Sequence, residues 1–442
     1  MFGFSELGIE TVTTILFIAM CLLLVLGVPL AFLTGLIATL LAIGWFGPDI
    51  LPLVVNRVYG FMTSYSLLAV PMFVLMASLL DKTGIAKDLY NAMWLTTRKF
   101  KTGVALQTVL IGVFLATMSG IIGGETVLLG LLALPQMLRL GYDKKLAIGV
   151  VVSSGALGTM VPPSIVLIIY GLVASVSIGD LFTASFIPAF MLAGMYILYI
   201  IIRGKLNPEL LPAIPEEERN APISKEERKK ARINIALPSM IALLVLGSIY
   251  GGIASVTEAA AVGVVAVLAV AIYRKELNMT VLKEASYATM QTCGMIMWIG
   301  MGAYILVGIY NLVGGNQFVE SLLVGSGLSP ISIILLMVVI LFILGLFLDW
   351  IGIAMLTMPI FVPIVQNLGF DPIWFGVLFC VNMQMSFLSP PFGPAAFYLH
   401  SVAPKGIELT DIFKSVIPFI FIQMLLLAIL IIFPEISLFL VK

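Results

Sequence analysis

Charge is what this sequence has least of. Only 10% of its 442 residues are charged, 61% are hydrophobic, and the mean hydropathy is +1.15. Soluble domains carry about 25% charged residues. Lys plus Arg and Asp plus Glu number 23 each, so the formal net charge is zero and nothing favours binding to a nucleic acid. The missing charge and the long apolar runs predict an all-α, multi-pass protein of the lipid bilayer.

Histidine and cysteine are also scarce. The chain has one histidine, His400, and three cysteines that lie far apart, Cys21, Cys293 and Cys380. It contains no CxxC pair and no HExxH motif, which argues against a metal or redox centre and against an intramembrane protease. No ring of like charges recurs along the apolar runs, so a channel is disfavoured. We therefore expect no enzyme, no catalytic residues and no cofactor.

The chain does contain an internal repeat. Residues 134–143 (LPQMLRLGYD) resemble residues 362–371 (VPIVQNLGFD) at an offset of 228 positions. The first copy is flanked by Lys and Arg, whereas no Lys or Arg occurs from Glu284 to Pro404. Because positive charge beside membrane segments marks the cytoplasmic side, the two copies are predicted to be inverted. Inverted repeats are typical of secondary transporters, whose binding site lies at the repeat interface.

Each repeat is predicted to contain a broken hairpin after its scaffold helices. The apolar stretches 102–142 and 330–366 are interrupted near glycines, which favours re-entrant hairpins, with two full spans in the first stretch as the alternative. We expect an interfacial helix at 276–290, separate from a span at 292–313. The predicted regions are scaffold helices at 1–100, a hairpin and broken helix at 101–203, a solvated cytoplasmic linker at 204–234, scaffold helices at 235–325, and a hairpin and broken helix at 326–442.

Small polar residues precede a double proline in each repeat, which predicts helices interrupted at Ser153–Ser164 and at Asn382–Gly393. Proline removes a backbone donor and clashes with the carbonyl group four residues before it, so a double proline at mid-membrane frees carbonyl oxygens. Such oxygens suit Na⁺, and the helix that starts beyond the break offers amides to an anion. Kinks that serve only helix packing are the alternative.

The candidate residues follow from these interruptions and from the hairpin tips. Candidate Na⁺ ligands are Ser119, Gly120, Ser153, Gly158, Thr159, Asp349, Ser386 and Ser389. Candidate substrate-binding residues are Ser154, Gly155, Pro163, Ser164, Asn382, Gln384, Pro391 and Gly393.

Three carboxylates lie in apolar surroundings, where charge is costly and often functional. Glu125 and Asp349 lie at the predicted hairpin tips, and each has three interpretations: a cation ligand, a proton carrier or the cap of a broken helix. Glu258 lies near the start of a span, so capping in the first turn together with Thr257 is the favoured role.

The sequence resembles the large membrane subunit of tripartite ATP-independent periplasmic (TRAP) transporters. The matching stretches run along nearly the whole chain: LGYDKKLAIGVVVSSGALGTMVPPSIVLIIYG, VSIGDLF, TEAAAVG, GLFLDWIGIAMLTMPIFVPI, LGFDPIWFGVLFCVN and LSPPFGPAAF. In one place the sequence departs from the family. The first hairpin tip reads MSGIIGGETVLLG, where the family often has Ser, Thr and Ala, so residue roles at Glu125 and Thr126 do not carry over.

The resemblance implies an elevator-type permease of the bacterial inner membrane, with two opposed hairpins and Na⁺ as the coupling ion. It also implies two partners, a small four-helix membrane subunit and a periplasmic substrate-binding protein. The small subunit is expected to be a separate chain, and the solute a small organic anion bearing a carboxylate. The alternative is a self-sufficient Na⁺/carboxylate symporter of similar architecture.

Overall fold

The computed structural model describes residues 4–100, 102–120, 123–212 and 214–441. Lys101 and the side chain of Ser119, both used in the sequence predictions, lie outside the described residues. Within these ranges the chain is helical and has no strand, and eight of its helices are long and apolar enough to cross a membrane. The prediction of an all-α, polytopic membrane protein is therefore confirmed.

The first scaffold region is a set of five helices separated by tight turns. They are α1 (Gly8–Val25), α2 (Leu30–Phe46), α3 (Leu51–Met62), α4 (Ala69–Lys82) and α5 (Ile85–Thr97). α1 and α2 are separated by a turn in which Gly27 has φ +80° and Pro29 is the N-cap of α2. α1 is mostly exposed, while Val12 packs in a small apolar cluster with Leu41 and Ile309.

The hairpin and broken helix of the first repeat follow. Their helices are α6 (Gly103–Ser119), α7 (Gly124–Arg139), α8 (Lys144–Gly155), α9 (Ile165–Ala174) and α10 (Ile178–Leu206). α8 begins at a side-chain cap, since Asp143 accepts a hydrogen bond of 2.9 Å from the Leu146 amide. Every residue from Leu146 to Gly171 is buried, so the broken helix runs through the centre of the protein.

The second scaffold region differs from the sequence prediction in two places. Its helices are α11 (Glu216–Arg219), α12 (Lys225–Tyr250), α13 (Val256–Tyr273), α14 (Met279–Leu312) and α15 (Gly315–Val324). α12 begins ten residues earlier than predicted, because Ser224 and Glu227 form a capping box. The separate helices expected at 276–290 and 292–313 are one continuous helix, α14, because no proline interrupts the segment.

Most described residues of the linker are exposed, as expected of a solvated connector, but a short part of it is docked. Leu211 and Ile214 are 4% and 3% exposed, and the Leu210 carbonyl accepts a hydrogen bond of 3.0 Å from the Asp143 amide. Arg139, at the end of α7, donates two hydrogen bonds of 2.6 and 3.0 Å to the Glu218 carboxylate. The linker therefore packs against the base of the first hairpin.

The second hairpin and broken helix complete the chain. Their helices are α16 (Pro330–Gly345), α17 (Trp350–Asn367), α18 (Pro372–Leu388), α19 (Pro394–Val402), α20 (Leu409–Ile432) and α21 (Glu435–Leu438). The repeats exchange partners in the core: α8 packs against α20, and its repeat counterpart α18 packs against α10. In the scaffold, α14 packs along α2 and α4. α18 also packs against α9, so the two broken helices lie side by side at the repeat interface.

Candidate functional site

The first break is a buried turn with its own hydrogen bonds. After α8, residues Ala156–Thr159 form a 3-10 turn, and the chain is then non-helical until α9 begins at Ile165. The Thr159 hydroxyl donates to the Ala156 carbonyl at 2.9 Å, and the Ser164 hydroxyl donates to the Thr159 carbonyl at 2.5 Å. Ser164 occupies the N-cap position of α9 but makes no side-chain cap to the described residues. The first amides of α9 therefore start a buried helix without a side-chain acceptor.

The second break is shorter than the sequence predicted. α18 continues to Leu388, so the non-helical residues are Ser389–Gly393 and not the whole of Asn382–Gly393. A proline disfavours the helical conformation of the residue before it, and Ser389, which precedes Pro390, is the extended C-cap residue of α18. Asn382, Gln384 and Ser386 are therefore presented from a helix. The Pro162-Pro163 and Pro390-Pro391 peptide bonds are both cis.

The tip of the first hairpin packs directly on the first break. Gly120 has φ +55°, and a Cβ atom placed on it would lie 2.5 Å from the Pro163 carbonyl oxygen. A Cβ atom on Gly158 would lie 2.7 Å from both carboxylate oxygens of Glu125. Glu125 is 3% exposed. The approach to a backbone oxygen requires glycine at Gly120, whereas a side chain at Gly158 would require the Glu125 carboxylate to move. The two approaches place one buried carboxylate beside the 3-10 turn.

The tip of the second hairpin is arranged differently. Asp349 is the N-cap of α17, where its carboxylate accepts a hydrogen bond of 3.2 Å from the Ile351 amide. Asp349 and Ser386 line one small cavity. The Ser386 hydroxyl donates to the Asn382 carbonyl at 3.1 Å, and the Ser389 hydroxyl donates to the Met385 carbonyl at 2.8 Å. Of its possible roles, the cap is the one that the geometry displays for Asp349.

Glu258 also caps a helix, which confirms the favoured role for it. Its carboxylate accepts a hydrogen bond of 2.7 Å from the Ser255 amide, and the Ser255 hydroxyl accepts one of 3.3 Å from the Glu258 amide. The N-cap residue of α13 is therefore Ser255, whereas the sequence had suggested Thr257. Glu258 lies outside the site.

The two breaks are joined by side chains that cross the repeat interface. The Gln384 amide donates to the Ala156 carbonyl at 3.0 Å, and the Cys380 thiol contacts the Thr159 carbonyl at 3.6 Å. Positions 156 and 384 differ by the repeat offset of 228, so equivalent positions of the two repeats touch. The Asn382 amide donates to the Val338 carbonyl on α16 at 2.7 Å and fixes the second hairpin to its broken helix.

Several buried oxygens at the breaks have no hydrogen-bond partner among the described residues. They are Ser153 Oγ, Ser154 Oγ, Thr126 Oγ1, Asn382 Oδ1 and Gln384 Oε1. Buried polar atoms are usually paired, so each exception calls for a physical explanation. Hydroxyl and amide oxygens are ligands for hard cations. Within the described part of the chain no group of three His, Cys, Asp or Glu side chains could hold a metal ion. The donor set therefore suits Na⁺ better than a transition metal.

The structure gathers the predicted site residues in two groups, one at each break. Two contributors were missed by the sequence predictions. Thr126 packs against Gly155 and carries one of the unpaired oxygens, and Cys380 contacts the first break although it was not among the candidate site residues. Thr126 adjoins Glu125 at the hairpin tip, which is a usable signal. Nothing local distinguishes Cys380 from an ordinary core residue.

The family model and the similar proteins point to the same transporter family. Residues 17–436 match the family described as "Tripartite ATP-independent periplasmic transporter, DctM component". The chain is 29% identical to the C4-dicarboxylate TRAP transporter large permease protein DctM of Vibrio cholerae, with 96% of each chain covered. It is 30% identical to the ectoine TRAP transporter large permease protein TeaC of Halomonas elongata, over 97% of this chain and 98% of that one.

A solved structure shares the fold. The crystal structure of the Alcanivorax borkumensis YdaH transporter, described as having an unusual topology, aligns with a TM-score of 0.64. The alignment covers 93% of this chain and 97% of that one, at 14% sequence identity. At this identity the likeness concerns the arrangement of helices and carries no assignment of residues.

Proposed function

Since the chain belongs to the DctM component family of tripartite ATP-independent periplasmic transporters, we propose that it is the permease subunit of a Na⁺-coupled importer of small organic anions that carry a carboxylate. The chain is an integral membrane transport protein and not an enzyme. In the proposal it works in the bacterial inner membrane with a small four-helix membrane subunit and a periplasmic substrate-binding protein, both expected for a tripartite system.

The observation that carries the Na⁺ part of the proposal is the set of unpaired oxygens at the breaks. Ser153 and Ser154 are 0% exposed, and their hydroxyl oxygens have no partner among the described residues. The candidate ligands Gly158 and Gly120 lie close by and contribute carbonyl oxygens only. A desolvated Na⁺ ion needs several such oxygens, and neutral ligands provide them without fixing a proton.

The carboxylate part rests on the helix that begins beyond the first break. The N-terminus of α9 is buried and is not capped by Ser164, whose hydroxyl is used by the Thr159 carbonyl. Buried amides at a helix N-terminus favour an anion. α19 begins in the same way after Gly393, again with no side-chain cap among the described residues. Two such N-termini from two repeats form a suitable pair of half-sites.

The proposed movement is that of an elevator. α8, α9 and α18 share one hydrophobic core with the inner faces of both hairpins, while α2 and α4 pack along α14 as the scaffold. Because the two breaks are linked through Gln384 and Ala156, they would travel as one body. The small subunit would widen the scaffold against which this body slides. α1, which is mostly exposed, is available to pack in membrane or protein.

The test is reconstitution. The chain is placed in liposomes with an inward Na⁺ gradient, and uptake of a radiolabelled carboxylate is measured with the small subunit and the binding protein omitted in turn. We expect uptake near background unless both partners and Na⁺ are present. A matched K⁺ gradient serves as the ionic control.

Two results would contradict the proposal in different ways. Robust uptake by the isolated chain would establish the self-sufficient symporter. Uptake that follows an imposed proton gradient and ignores Na⁺ would transfer the coupling role to Glu125 and Asp349 as proton carriers.

A further inference from the structure

The first two turns of α12 carry a concentration of positive charge. Residues 225–232 read KEERKKAR and contain five Lys or Arg residues and two acids. All of them except Ala231 are exposed. One of the acids, Glu227, is used by the capping box, where its carboxylate accepts a hydrogen bond of 2.8 Å from the Ser224 amide. Among the described residues no acid forms an ion pair with any of the five cations, so none of them is neutralised by direct contact.

Four of the five cations lie on one face of the helix. Their spacing of i, i+3, i+4 and i+7 places their side chains on the same side of an α-helix. They are Lys225, Arg228, Lys229 and Arg232, which together are called the basic face. Lys230 points elsewhere, because each residue turns the helix by about 100°. The segment thus concentrates most of its cations on one side of α12.

The basic face continues into the apolar face that α12 exposes at membrane depth. Ala236, Met240 and Leu243 follow Arg232 at helical spacing and lie on the same side of α12. They are exposed, and Leu243 is 72% exposed. The buried side of α12 is formed by Pro238, Ile241, Ala242 and Val245. One stripe of α12 therefore passes from cations directly to apolar side chains that no described residue covers.

The length of α12 places the basic face at the depth of the lipid headgroups. α12 has 26 residues and is therefore about 39 Å long, whereas the hydrocarbon core of a bilayer is about 30 Å thick. Tyr250, at the far end of α12, is 41% exposed, and exposed tyrosines are typical of the membrane–water interface. With Tyr250 at one interface, about six residues at the start of α12 extend into the opposite headgroup layer. These residues carry most of the basic face.

We propose that the basic face binds the phosphate groups of anionic phospholipids, with an acyl chain lying along Met240 and Leu243. A phospholipid has charge and apolar surface in the same order as this stripe, whereas a soluble anion would leave the apolar part without a partner. Lys and Arg residues beside a membrane span attract anionic lipid by about fivefold each. Cations that only set the orientation of the chain need no common face and no apolar continuation. The proposal involves neither the solute nor the coupling ion.

A fluorescent reporter on the same stripe tests the proposal. Ala236→Cys, in a background without the native cysteines, is labelled with bimane, and the full-length chain is placed in phosphatidylcholine nanodiscs that contain a rising fraction of brominated phosphatidylglycerol. Brominated phosphatidylcholine with the same acyl chains is the lipid control. Because bromine quenches bimane only at close range, half-quenching reports the lipid next to Ala236. We expect it at a mole fraction about fivefold lower for phosphatidylglycerol, and added KCl should reduce this preference.

Variants and a second reporter localise the effect. Lys229→Gln should reduce the preference for phosphatidylglycerol more than Lys230→Gln, which neutralises the adjacent residue off the basic face. Leu22→Cys places the reporter on the exposed side of α1, and no Lys or Arg occurs in residues 1–56. This reporter should respond equally to the two brominated lipids. The fourfold variant should respond equally at Ala236 too; it combines Lys225→Gln, Arg228→Gln, Lys229→Gln and Arg232→Gln.

Three results would overturn the proposal. Equal quenching by the two brominated lipids, with the basic face intact, would leave its cations as a signal of orientation alone. A preference that the fourfold variant retains would mean that another surface collects the anionic lipid. Loss of quenching by both lipids when the small membrane subunit is added would assign the stripe to a protein interface. If the fourfold variant does not fold, the comparison of the two lipids with the basic face intact and the Lys229→Gln variant still decide.

Discussion

Both helix breaks contain a double proline, but they differ in solvent exposure. Pro162 and Pro163 are buried, within a stretch that stays buried from Leu146 to Gly171. Pro390 and Pro391 are exposed. The first break is therefore sealed inside the protein and the second reaches its surface. A repeated motif fixes where a helix is interrupted, but the packing of the neighbouring elements decides whether the interruption is accessible.

The breaks also use their hydroxyl groups differently. The Ser153 and Ser154 oxygens have no partner among the described residues, whereas the Ser386 and Ser389 hydroxyls donate to carbonyls of α18. At the repeat position of Gly158 the second repeat has Ser386. The first break thus keeps its oxygens available next to a glycine, and the second fills the equivalent space with a side chain. This difference makes the first break the better candidate for tight ion binding.

The largest expected effect concerns the inverted orientation of the two repeats. Single cysteines at Lys99 and at Gln366, both exposed, should react with a membrane-impermeant maleimide from opposite faces of intact membranes. The background needs Cys21, Cys293 and Cys380 replaced, with Cys380→Ser chosen to keep a donor towards Thr159. Labelling of both sites from one face would contradict the inverted repeat and the pairing of the two half-sites.

The second effect is steric and compares equivalent positions of the two breaks, Gly158 and Ser386. Gly158→Ser, which copies Ser386, should reduce uptake, because its Cβ atom would lie 2.7 Å from both Glu125 oxygens and would displace this buried carboxylate. Overpacking of this kind costs about 1–3 kcal/mol in folding free energy. The reciprocal Ser386→Gly should lose much less. Uptake and the thermal unfolding midpoint are measured together, and near-normal uptake by Gly158→Ser would refute the close approach.

The third effect is on ion affinity. Ser153→Ala should raise the Na⁺ concentration for half-maximal uptake by about tenfold. The corresponding loss of binding free energy falls within the range of about 1–3 kcal/mol expected for losing one buried partner. Thr159→Val should act in the same direction but more weakly, because the Thr159 hydroxyl already donates to the Ala156 carbonyl. Ser389→Ala should have a smaller effect than Ser153→Ala, because the Ser389 hydroxyl already donates to Met385. Equal shifts for Ser153 and Ser389 would show that the two breaks contribute alike.

The smallest expected effect is on stability and concerns the polar contacts at the bases of the two hairpins. The first hairpin is held by Arg139 and Glu218, and the second by a hydrogen bond of 2.8 Å from the Asn367 amide to Glu320. The hydrogen bonds from Arg139 lower the pKa of the Glu218 carboxyl. A lowered folded-state pKa adds stability above the unfolded pKa, and this stability is lost as the pH falls through the folded pKa.

Glu218→Gln should therefore lower the unfolding midpoint at neutral pH and have little effect in acid. Because the pair is exposed and screened by salt, the loss should not exceed about 1 kcal/mol. Glu217→Gln, at an exposed neighbour, is the matched control. A loss that persists at acidic pH would mean that packing, and not the charge pair, holds the linker in place.

Much of the fold follows from local patterns in the sequence. The Gly27–Pro29 break, both hairpins and both double prolines were predictable, because glycine and proline act on their own turn of helix. The errors arose where capping or continuity decided the outcome. Ser224 and Glu227 start α12 early, and α14 runs through a segment whose polarity had suggested an interfacial helix. The spacing of Ser224 and Glu227 fits a capping box and is a sequence signal that the prediction overlooked, whereas the continuity of α14 depends on its packing.

The sequence alone determined that this protein lies in a membrane, repeats itself, and interrupts one helix in each repeat, because charge content and proline act locally and independently of distant residues. Only the tertiary structure decided which oxygens remain unpaired and which break is sealed. The Gln384–Ala156 contact joins residues 228 positions apart, and Glu125 meets Gly158 across a hairpin tip. Such contacts depend on how whole helices pack, and no local pattern contains that information.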